Sequence, residues 1–228
     1  MFKIPKVLNP QVLFKATSLI SGDIKVTQIG KERRLMVGGY VQSINWDCPG
    51  VEKRVWGKVA KLALDVCPSA KKILLLGLGA GTIVGLLKKA NPSIEITAIE
   101  LDEKVIEIAR EYFGLLENNS LKVINADAFD IIENCIDRRG RPPSDVIIVD
   151  VYLGGAFPEK FWEPDFFEAL KNILNGGGCV IFNRILNVSS NVCIDNVKKF
   201  LLKYFSKVEF EKVNIVGREG NVLFICKI

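Results

Sequence analysis

The chain contains no histidine among its 228 residues. This absence excludes Ser-His-Asp triads, histidine-based acid–base chemistry and most metal sites, so a catalytic base must be a carboxylate, tyrosine, lysine or cysteine. The six cysteines include no C-x-x-C pair, which argues against structural zinc and for a reducing compartment. We therefore expect a protein without a bound metal.

Long apolar runs are also missing. No stretch approaches the roughly 18 apolar residues that a membrane-spanning helix needs, and the lysine- and proline-containing N-terminus lacks the apolar core of a secretory signal. We therefore expect a soluble, cytoplasmic protein with no membrane partner. The net charge of +5 comes without interleaved arginines and aromatics, which argues against nucleic acid as a partner.

The N-terminal region reads as β structure, and the rest of the chain as one larger domain. Glycine-containing turns separate four short strand-like runs in residues 1–50, at 12–16, 23–29, 34–37 and 40–44. Helical spacing follows at 51–66. We expect a small β region over residues 1–50 and a cofactor-binding domain over residues 51–228.

From Lys71 onward the chain alternates strand-like and helical patterns. The predicted strands are 73–76, 94–99, 121–124, 146–149, 178–182, 208–213 and 222–225, and the predicted helices are about 81–90, 102–114, 128–137, 164–174 and 189–205. Alternation at this spacing predicts parallel strands joined by right-handed crossovers. The short loop before the last strand forces an antiparallel pair. The fold class is therefore α/β, a doubly wound seven-stranded sheet ending in a hairpin.

The first predicted strand runs directly into a glycine-rich loop. The segment K-K-I-L-L-L-G-L-G-A-G-T places Gly77, Leu78, Gly79 and Gly81 between a buried strand and a helix. Glycines allow a sharp turn and a close approach of backbone to ligand, and the helix start offers unpaired N–H groups. This arrangement suits a nucleotide or nucleoside cofactor.

The second strand ends at Glu100, which is followed by Leu101 and Asp102. Glu100 lies 21 positions after Gly79, the spacing at which an acid from the second strand reaches ribose hydroxyls. We interpret Glu100 as the ribose ligand, Leu101 as a further cofactor-binding residue and Asp102 as a helix cap.

The third and fourth strands also end at carboxylates. Asp127 can accept a hydrogen bond from an adenine amine, with Ala128 and Phe129 as apolar contacts, although a helix N-cap is an alternative role for Asp127. Asp150 lies where the reacting end of a cofactor is expected, with a solvent-facing turn aspartate as the alternative. Four consecutive strands thus end in glycines or near an acid.

Thr82 stands where the dinucleotide fingerprint G-x-G-x-x-G requires its third glycine, which disfavours an NAD dehydrogenase. The glycine spacing and the terminal hairpin resemble class I S-adenosylmethionine-dependent methyltransferases. Within that superfamily the chain most resembles the spermidine/spermine synthases, which are aminopropyltransferases. The segments that carry the resemblance are I-L-L-L-G-L-G-A-G-T, A-I-E-L-D-E-K-V-I-E-I-A-R-E-Y-F, V-I-N-A-D-A-F, S-D-V-I-I-V-D, F-W-E-P-D-F-F-E-A-L-K-N-I-L-N-G-G-G and L-M-V-G-G-Y-V-Q.

The resemblance implies roles for individual residues. It implies that Gly77, Gly79 and Gly81 line the cofactor loop, that Glu100 holds the ribose and that Asp127 holds the adenine. It also implies that Asp150 helps to deprotonate the attacking amine. From the residues after the fourth strand we also expect Tyr152 to be a catalytic residue beside Asp150, one that shapes the acceptor pocket.

The chain departs from the resembled family at several acids. Ala80 stands where the family's glycine loop has an aspartate, and Leu153 replaces the second aspartate of the D-S-S-D element after the fourth strand. Decarboxylated S-adenosylmethionine and polyamines are cations that need carboxylates to offset desolvation. The missing acids therefore favour S-adenosylmethionine over its decarboxylated form.

We therefore expect an S-adenosylmethionine-dependent methyltransferase acting on a small acceptor, such as an amine. Two alternatives stay open: a polyamine aminopropyltransferase that uses decarboxylated S-adenosylmethionine, and an adenosyl-cofactor-binding module without turnover. The resemblance also suggests a homodimer through the N-terminal β region.

Overall fold

The computed structural model describes residues 9–133, 143–186, 193–216 and 219–228. Four strands come first and pair antiparallel in chain order: β1 (Gln11–Ser18), β2 (Gly22–Ile29), β3 (Glu32–Val37) and β4 (Tyr40–Ile44). Gly38 and Gly39 at the turn between β3 and β4 have φ values of 57° and 87°, a region that glycine occupies without steric cost. The predicted N-terminal strands are confirmed.

The rest of the chain alternates strand and helix. The elements in chain order are α1 (Val55–Val66), β5 (Lys72–Leu76), α2 (Thr82–Ala90), β6 (Glu95–Glu100), α3 (Glu103–Phe113), β7 (Leu121–Asn125), α4 (Ala128–Glu133), β8 (Ser144–Val149), α5 (Pro164–Ile173), β9 (Leu174–Leu186), α6 (Ile194–Leu201), β10 (Lys207–Val216) and β11 (Glu219–Lys227). One 3₁₀ turn (Val51–Lys53) comes before α1, and a second one (Glu159–Trp162) lies between β8 and α5.

These seven later strands form one mixed sheet in the order β10-β11-β9-β8-β5-β6-β7. Strands β5 to β9 run parallel where they are neighbours, and β11 lies antiparallel to both β9 and β10. The predicted doubly wound sheet with a terminal hairpin is confirmed. Its hairpin loop includes residues 217–218, which lie outside the described residues.

Several predicted bounds differ from the observed ones. Strand β9 begins at Leu174 rather than 178, because Leu174 already pairs with Ser144 before the glycine-rich stretch shifts the register. Helix α6 ends at Leu201 rather than 205, since the chain then closes into turns that bring Phe205 into the core. Parts of two predicted helices, 134–137 and 189–192, lie outside the described residues.

The strand before the glycine loop is buried on both faces of the sheet. Ile73 and Leu75 of β5 belong to one apolar cluster, with side chains of α1 and α2. Leu74 and Leu76 belong to the cluster on the opposite face, with side chains of α4 and α5. Side chains alternate between the two faces of a strand, so a doubly covered strand shows a continuous apolar sequence.

A third apolar cluster joins the N-terminal sheet to the larger domain. Ile24, Val26, Leu35 and Val37 pack there with side chains of α3 and with Ala80 of the glycine loop. The N-terminal sheet therefore lies directly against the loop and α3. The division at residue 50 and the homodimer through this region stay predictions.

In the part of the chain that the structure describes, no helix combines the length and the apolar character that crossing a membrane requires.

Candidate functional site

An open cleft lies at the carboxyl ends of the central strands, and about 1000 Å³ of space, open solvent included, falls within it. Its position is where open α/β sheets bind ligands. The described wall comprises the ends of β5 to β8, the second 3₁₀ turn and part of the N-terminal sheet. The predicted site residues that line it are Gly77, Leu78, Gly79, Glu100, Leu101, Asp127, Ala128, Asp150 and Tyr152.

At two glycines of the loop, neighbouring atoms of the protein leave no space for a side chain. Gly77 has a φ of 89°, and a Cβ there would lie 2.2 Å from the Asp150 carbonyl oxygen. Gly79 has a φ of 55°, and a Cβ there would lie 2.5 Å from the Ser43 Oγ. The loop is therefore packed between the end of β8 and strand β4, and any side chain at either position would separate them.

Glu100 ties the end of β6 to the glycine loop. Its Oε2 accepts hydrogen bonds from the Leu78 and Gly79 amides at 3.1 and 3.2 Å, and its Oε1 accepts one from the Asp102 amide at 3.1 Å. Burial raises the pKa of Glu100 above its ordinary value, and these donors oppose the rise. A carboxylate offers about four acceptor positions, so about one is left for a ribose hydroxyl.

Asp127 acts as a helix cap, the alternative role that the sequence left open, and it also forms an ion pair that the sequence did not predict. Its Oδ1 accepts a hydrogen bond from the Phe129 amide at 2.9 Å, as a helix cap does. Its other oxygen forms an ion pair with Lys160, whose Nζ also lies over the Phe129 and Phe161 rings. Ala128 lines the cleft, whereas Phe129 stacks on Phe166 in the core. Asp127 thus faces the cleft as part of an ion pair.

Asp150 lies beside the glycine loop in the wall of the cleft. Its Oδ1 accepts a hydrogen bond from the Asn183 side chain at 2.7 Å, and Asn183 in turn accepts one from the Asn221 amide group at 2.9 Å. Desolvation raises the pKa of Asp150 from 3.8 to about 6, against the effect of the Asn183 bond. A carboxylate with this pKa can exchange a proton near neutral pH.

Tyr152 uses its hydroxyl to hold β9. The hydroxyl donates to the Asn183 carbonyl at 2.9 Å and accepts from the Ile185 amide at 2.7 Å. Burial, followed by the Asp150 charge, raises the pKa of Tyr152 well above its ordinary value. Its ring lines the cleft while its hydroxyl is engaged, so Tyr152 shapes the wall and is not placed for proton transfer.

Two loop positions discussed from the sequence lie outside the cleft. Gly81, with a φ of 81°, precedes the first residue of α2 and borders a separate groove with Trp46 and Leu115. Ala80 is buried at 3% exposure in the cluster that holds the N-terminal sheet. The position that carries an acid in the resembled family therefore serves packing here.

Thr82 links the start of α2 to the N-terminal sheet. Its hydroxyl donates to the Ile44 carbonyl and accepts from the Ile44 amide at 3.2 Å. Thr82 is 1% exposed and Ile44 is 3% exposed. The residue that interrupts the dinucleotide fingerprint thus satisfies both backbone groups of an edge-strand residue, which would otherwise be buried without partners.

Sequence reasoning missed several residues of the site. Lys160 pairs with Asp127 across 33 positions, and no local pattern connects them. Gln42 and Ser43 reach the cleft from the N-terminal sheet, and Trp56 reaches it from α1. Asn183 could have been found from the sequence. It directly follows the fifth predicted strand of the larger domain, and the residues that follow the first four of these strands were the ones interpreted as site residues.

The described residues gather no group of three or more histidine, cysteine, aspartate and glutamate side chains that could hold a metal ion.

The fold and the cleft together define an open α/β domain that binds its ligand at the carboxyl ends of the strands. The family model described as spermine/spermidine synthase domain matches residues 52–226. The chain therefore belongs to that family, and the resemblance seen in the sequence is confirmed.

Curated relatives include proteins with two different activities in their names. The chain is 31% identical over 148 residues to the eEF1A lysine and N-terminal methyltransferase of Bos taurus, covering 61% of the chain and 21% of the relative. It is 30% identical over 143 residues to a probable polyamine aminopropyl transferase of Bifidobacterium longum (strain NCC 2705), covering 63% of the chain and 30% of the relative. The chain thus spans less than a third of either relative's length.

A solved structure of spermidine synthase in complex with the transition state analogue AdoDATO has the same fold. It matches with a TM-score of 0.76 at 17% identity, over 96% of this chain and 74% of that one. The likeness includes the N-terminal sheet as well as the seven-stranded domain.

Proposed function

We propose that the chain is an S-adenosylmethionine-dependent transferase that moves a methyl group to an amine. The observation that carries the proposal is the charge at the reacting end of the cleft. Among the described wall residues, Asp150 is the one carboxylate in the segment after β8. Leu153 stands where the resembled family has a second acid. Decarboxylated S-adenosylmethionine lacks the carboxylate that balances its ammonium, so its binding needs more acid from the protein.

The residues of the cleft fit an adenosyl group. Glu100 keeps about one acceptor position for a ribose hydroxyl beside its three backbone donors. Asp127 can accept from the adenine amine if Lys160 shares or releases it, and Leu101 and Ala128 supply apolar contact. Gly77 and Gly79 also line the cleft, and the absence of side chains there lets a ligand approach the loop closely.

Asp150 is the proposed base. When bound, S-adenosylmethionine supplies a methyl group on a positively charged sulfur, so transfer mainly requires an uncharged, correctly placed nucleophile. The Oδ1 of Asp150 is held by Asn183, which leaves Oδ2 to take a proton from the acceptor ammonium. The nitrogen lone pair freed in this way would accept the methyl group as its bond to sulfur breaks, with the electron pair of that bond staying on sulfur, and Asp150 would pass its proton to solvent.

Tyr152 and Asn183 are proposed as positioning residues. Tyr152 joins the segment after β8 to the backbone of β9, and Asn183 fixes the orientation of the Asp150 carboxylate. Both contacts fix the position of Asp150 in the wall of the cleft.

A pair of calorimetric titrations tests the cofactor. We expect S-adenosylmethionine and its demethylated product to bind tightly, and decarboxylated S-adenosylmethionine to bind weakly. The same protein is then incubated with S-adenosylmethionine and a panel of amines, and release of the demethylated product is measured. The reverse order of affinities would overturn the proposal.

Aminopropyl transfer is the second candidate, supported by membership of the spermine/spermidine synthase domain family and by the similarity to the Bifidobacterium relative. It requires tight binding of the decarboxylated cofactor and transfer to a polyamine. Binding of an adenosyl ligand with no transfer to any amine would instead favour a module without turnover.

A further inference from the structure

We infer that the acceptor carries a single cationic nitrogen on an apolar, uncharged chain, and that diamines and longer polyamines fit this site poorly. The inference rests on the proposed function and names the class of acceptor for the same cleft. It is carried by the distribution of charge and apolar surface along the described wall.

Four charged side chains line the described wall of the cleft: Glu100, Asp127, Asp150 and Lys160. The ion pair of Asp127 with Lys160 leaves no net charge at the end of the cleft near β7. The Glu100 carboxylate already accepts hydrogen bonds from three backbone amides, two in the glycine loop and one at Asp102. Asp150 therefore supplies the negative charge that an acceptor nitrogen meets.

Much of the described wall besides these charged residues is apolar, and no further carboxylate lines it. Val151 and Leu153 follow Asp150 in the chain, and Leu35, Val37 and Trp56 also line the cleft, with Ser21 and Ser43 as uncharged polar side chains. Gln42 lies among them, and its Nε2 donates to the Gly154 carbonyl at 2.5 Å, so it presents an uncharged amide oxygen rather than a carboxylate. A second ammonium entering this part of the cleft would lose water without meeting a carboxylate.

The rim next to this wall is also apolar and exposed. Tyr40 is 60% exposed, Val41 is 40% exposed and Leu153 is 44% exposed. The Tyr40 ring packs on Gly155, where a Cβ would lie 3.0 Å from it, so the hairpin of β3 and β4 meets the turn at 153–156. This rim suits an alkyl chain that leads an amine down to Asp150.

Two sources share this chemistry: a free alkylamine, and a lysine side chain within a peptide. Both present one ammonium at the end of an unbranched carbon chain. The experiment therefore includes a probe for each source.

The binding test compares n-pentylamine with cadaverine, which differ by one terminal ammonium. Each is titrated into the protein loaded with demethylated cofactor, with calorimetry as the main readout and tryptophan fluorescence, to which Trp56 in the cleft wall contributes, as a second. We expect pentylamine to bind at least about tenfold more tightly, because the second ammonium of cadaverine meets no carboxylate. Equal or tighter binding of cadaverine, or no binding of pentylamine, would overturn the inference.

A matched pair of variants tests the same point on the protein. Leu153→Asp adds a carboxylate at the rim, whereas Leu153→Asn adds a polar group of similar size without charge. We expect the preference for pentylamine to fall by about tenfold in Leu153→Asp alone, since a new carboxylate offsets the second ammonium. If both variants change the preference equally, charge does not set the selection and the inference is wrong.

A transfer assay separates this inference from the proposed function. Methyl transfer is measured with pentylamine, cadaverine and Nα-acetyl-lysine methylamide, the last standing for a peptide lysine. Preferential binding of single amines without methyl transfer would contradict the proposed function and leave the acceptor inference standing. Methyl transfer to cadaverine as fast as to pentylamine would support the proposed function and contradict the acceptor inference. Faster transfer to the lysine derivative than to pentylamine would identify a peptide as the source.

Discussion

The Thr82 hydroxyl holds both backbone groups of Ile44, donating to its carbonyl and accepting from its amide at 3.2 Å. This contact joins the start of the helix behind the glycine loop to the last strand of the N-terminal sheet. The cleft has walls from both units. The shape of the cleft therefore depends on this pair of hydrogen bonds. The glycine spacing of the loop does not predict that Thr82 contacts Ile44.

Thr82→Val should destabilise the fold. Valine has nearly the same shape but leaves the Ile44 amide and carbonyl buried without a partner, which costs about 1–3 kcal/mol per lost buried hydrogen bond. Thr82→Ser keeps the hydroxyl and is the matched control. Urea denaturation measures the free energy of unfolding. Equal midpoints for the two variants would show that the junction carries no stability.

Glu100→Gln should weaken the adenosyl site. The amide group of glutamine cannot accept from backbone N–H groups on both sides, so either the loop amides or the Asp102 amide loses its acceptor. We expect at least about a tenfold loss of affinity for S-adenosylmethionine, the equivalent of about 1.4 kcal/mol. Glu103→Gln, at an exposed position of the first turn of α3, is the control. Unchanged binding by Glu100→Gln would refute the ribose assignment.

Lys160→Met should strengthen binding of the adenosyl cofactor. Removal of the ammonium frees one oxygen of Asp127 for the adenine amine, while the methionine side chain can keep contact with the Phe129 and Phe161 rings. We expect a gain in affinity of about threefold to tenfold, the scale of one net hydrogen bond. Lys171→Met removes a lysine paired with Glu168 on α5 and serves as control. Weaker binding by Lys160→Met would mean that Lys160 itself contacts the ligand.

The pH dependence of transfer should follow Asp150. Because its pKa is raised to about 6, the carboxylate is ionised above that pH and protonated below it. With an acceptor that stays an ammonium throughout, kcat/KM should rise with pH up to about 6 and then level off. Asp150→Asn should lower the rate by about 10²–10⁴-fold, the usual contribution of a base, and give a flat profile in this range. A step near pH 6 that persists in Asp150→Asn would assign the base elsewhere.

The same group should affect stability in the opposite sense. The pKa of Asp150 is higher in the folded chain than its ordinary value of 3.8, so the folded state binds the proton more tightly. Its contribution favours folding at low pH and is lost as the pH rises through about 6. The difference in free energy of unfolding between Asp150→Asn and the natural chain should therefore change over this range. A constant difference would show that Asp150 is not desolvated.

The sequence predicted the sheet and most of the cleft because both depend on local patterns. Apolar runs, glycines at positive φ and the acids that end β6, β7 and β8 are each visible within a few residues. The Asp127–Lys160 pair and the Thr82–Ile44 contact join segments 33 and 38 positions apart. Ala80 shows the limit most clearly: its missing charge is visible in the sequence, but its burial under the N-terminal sheet is a tertiary property.

The hydrogen-bond chain from Asp150 through Asn183 to Asn221 has a consequence for the order in which the protein is made. The glycine loop and the acids at the ends of β6 to β8 are synthesised well before β11, yet Asn183, which orients Asp150, is itself held by Asn221 of β11. Strand β11 must insert between β9 and β10, and pairings between distant segments form slowly. During synthesis, the pocket walls can therefore assemble before the proposed base acquires its final orientation.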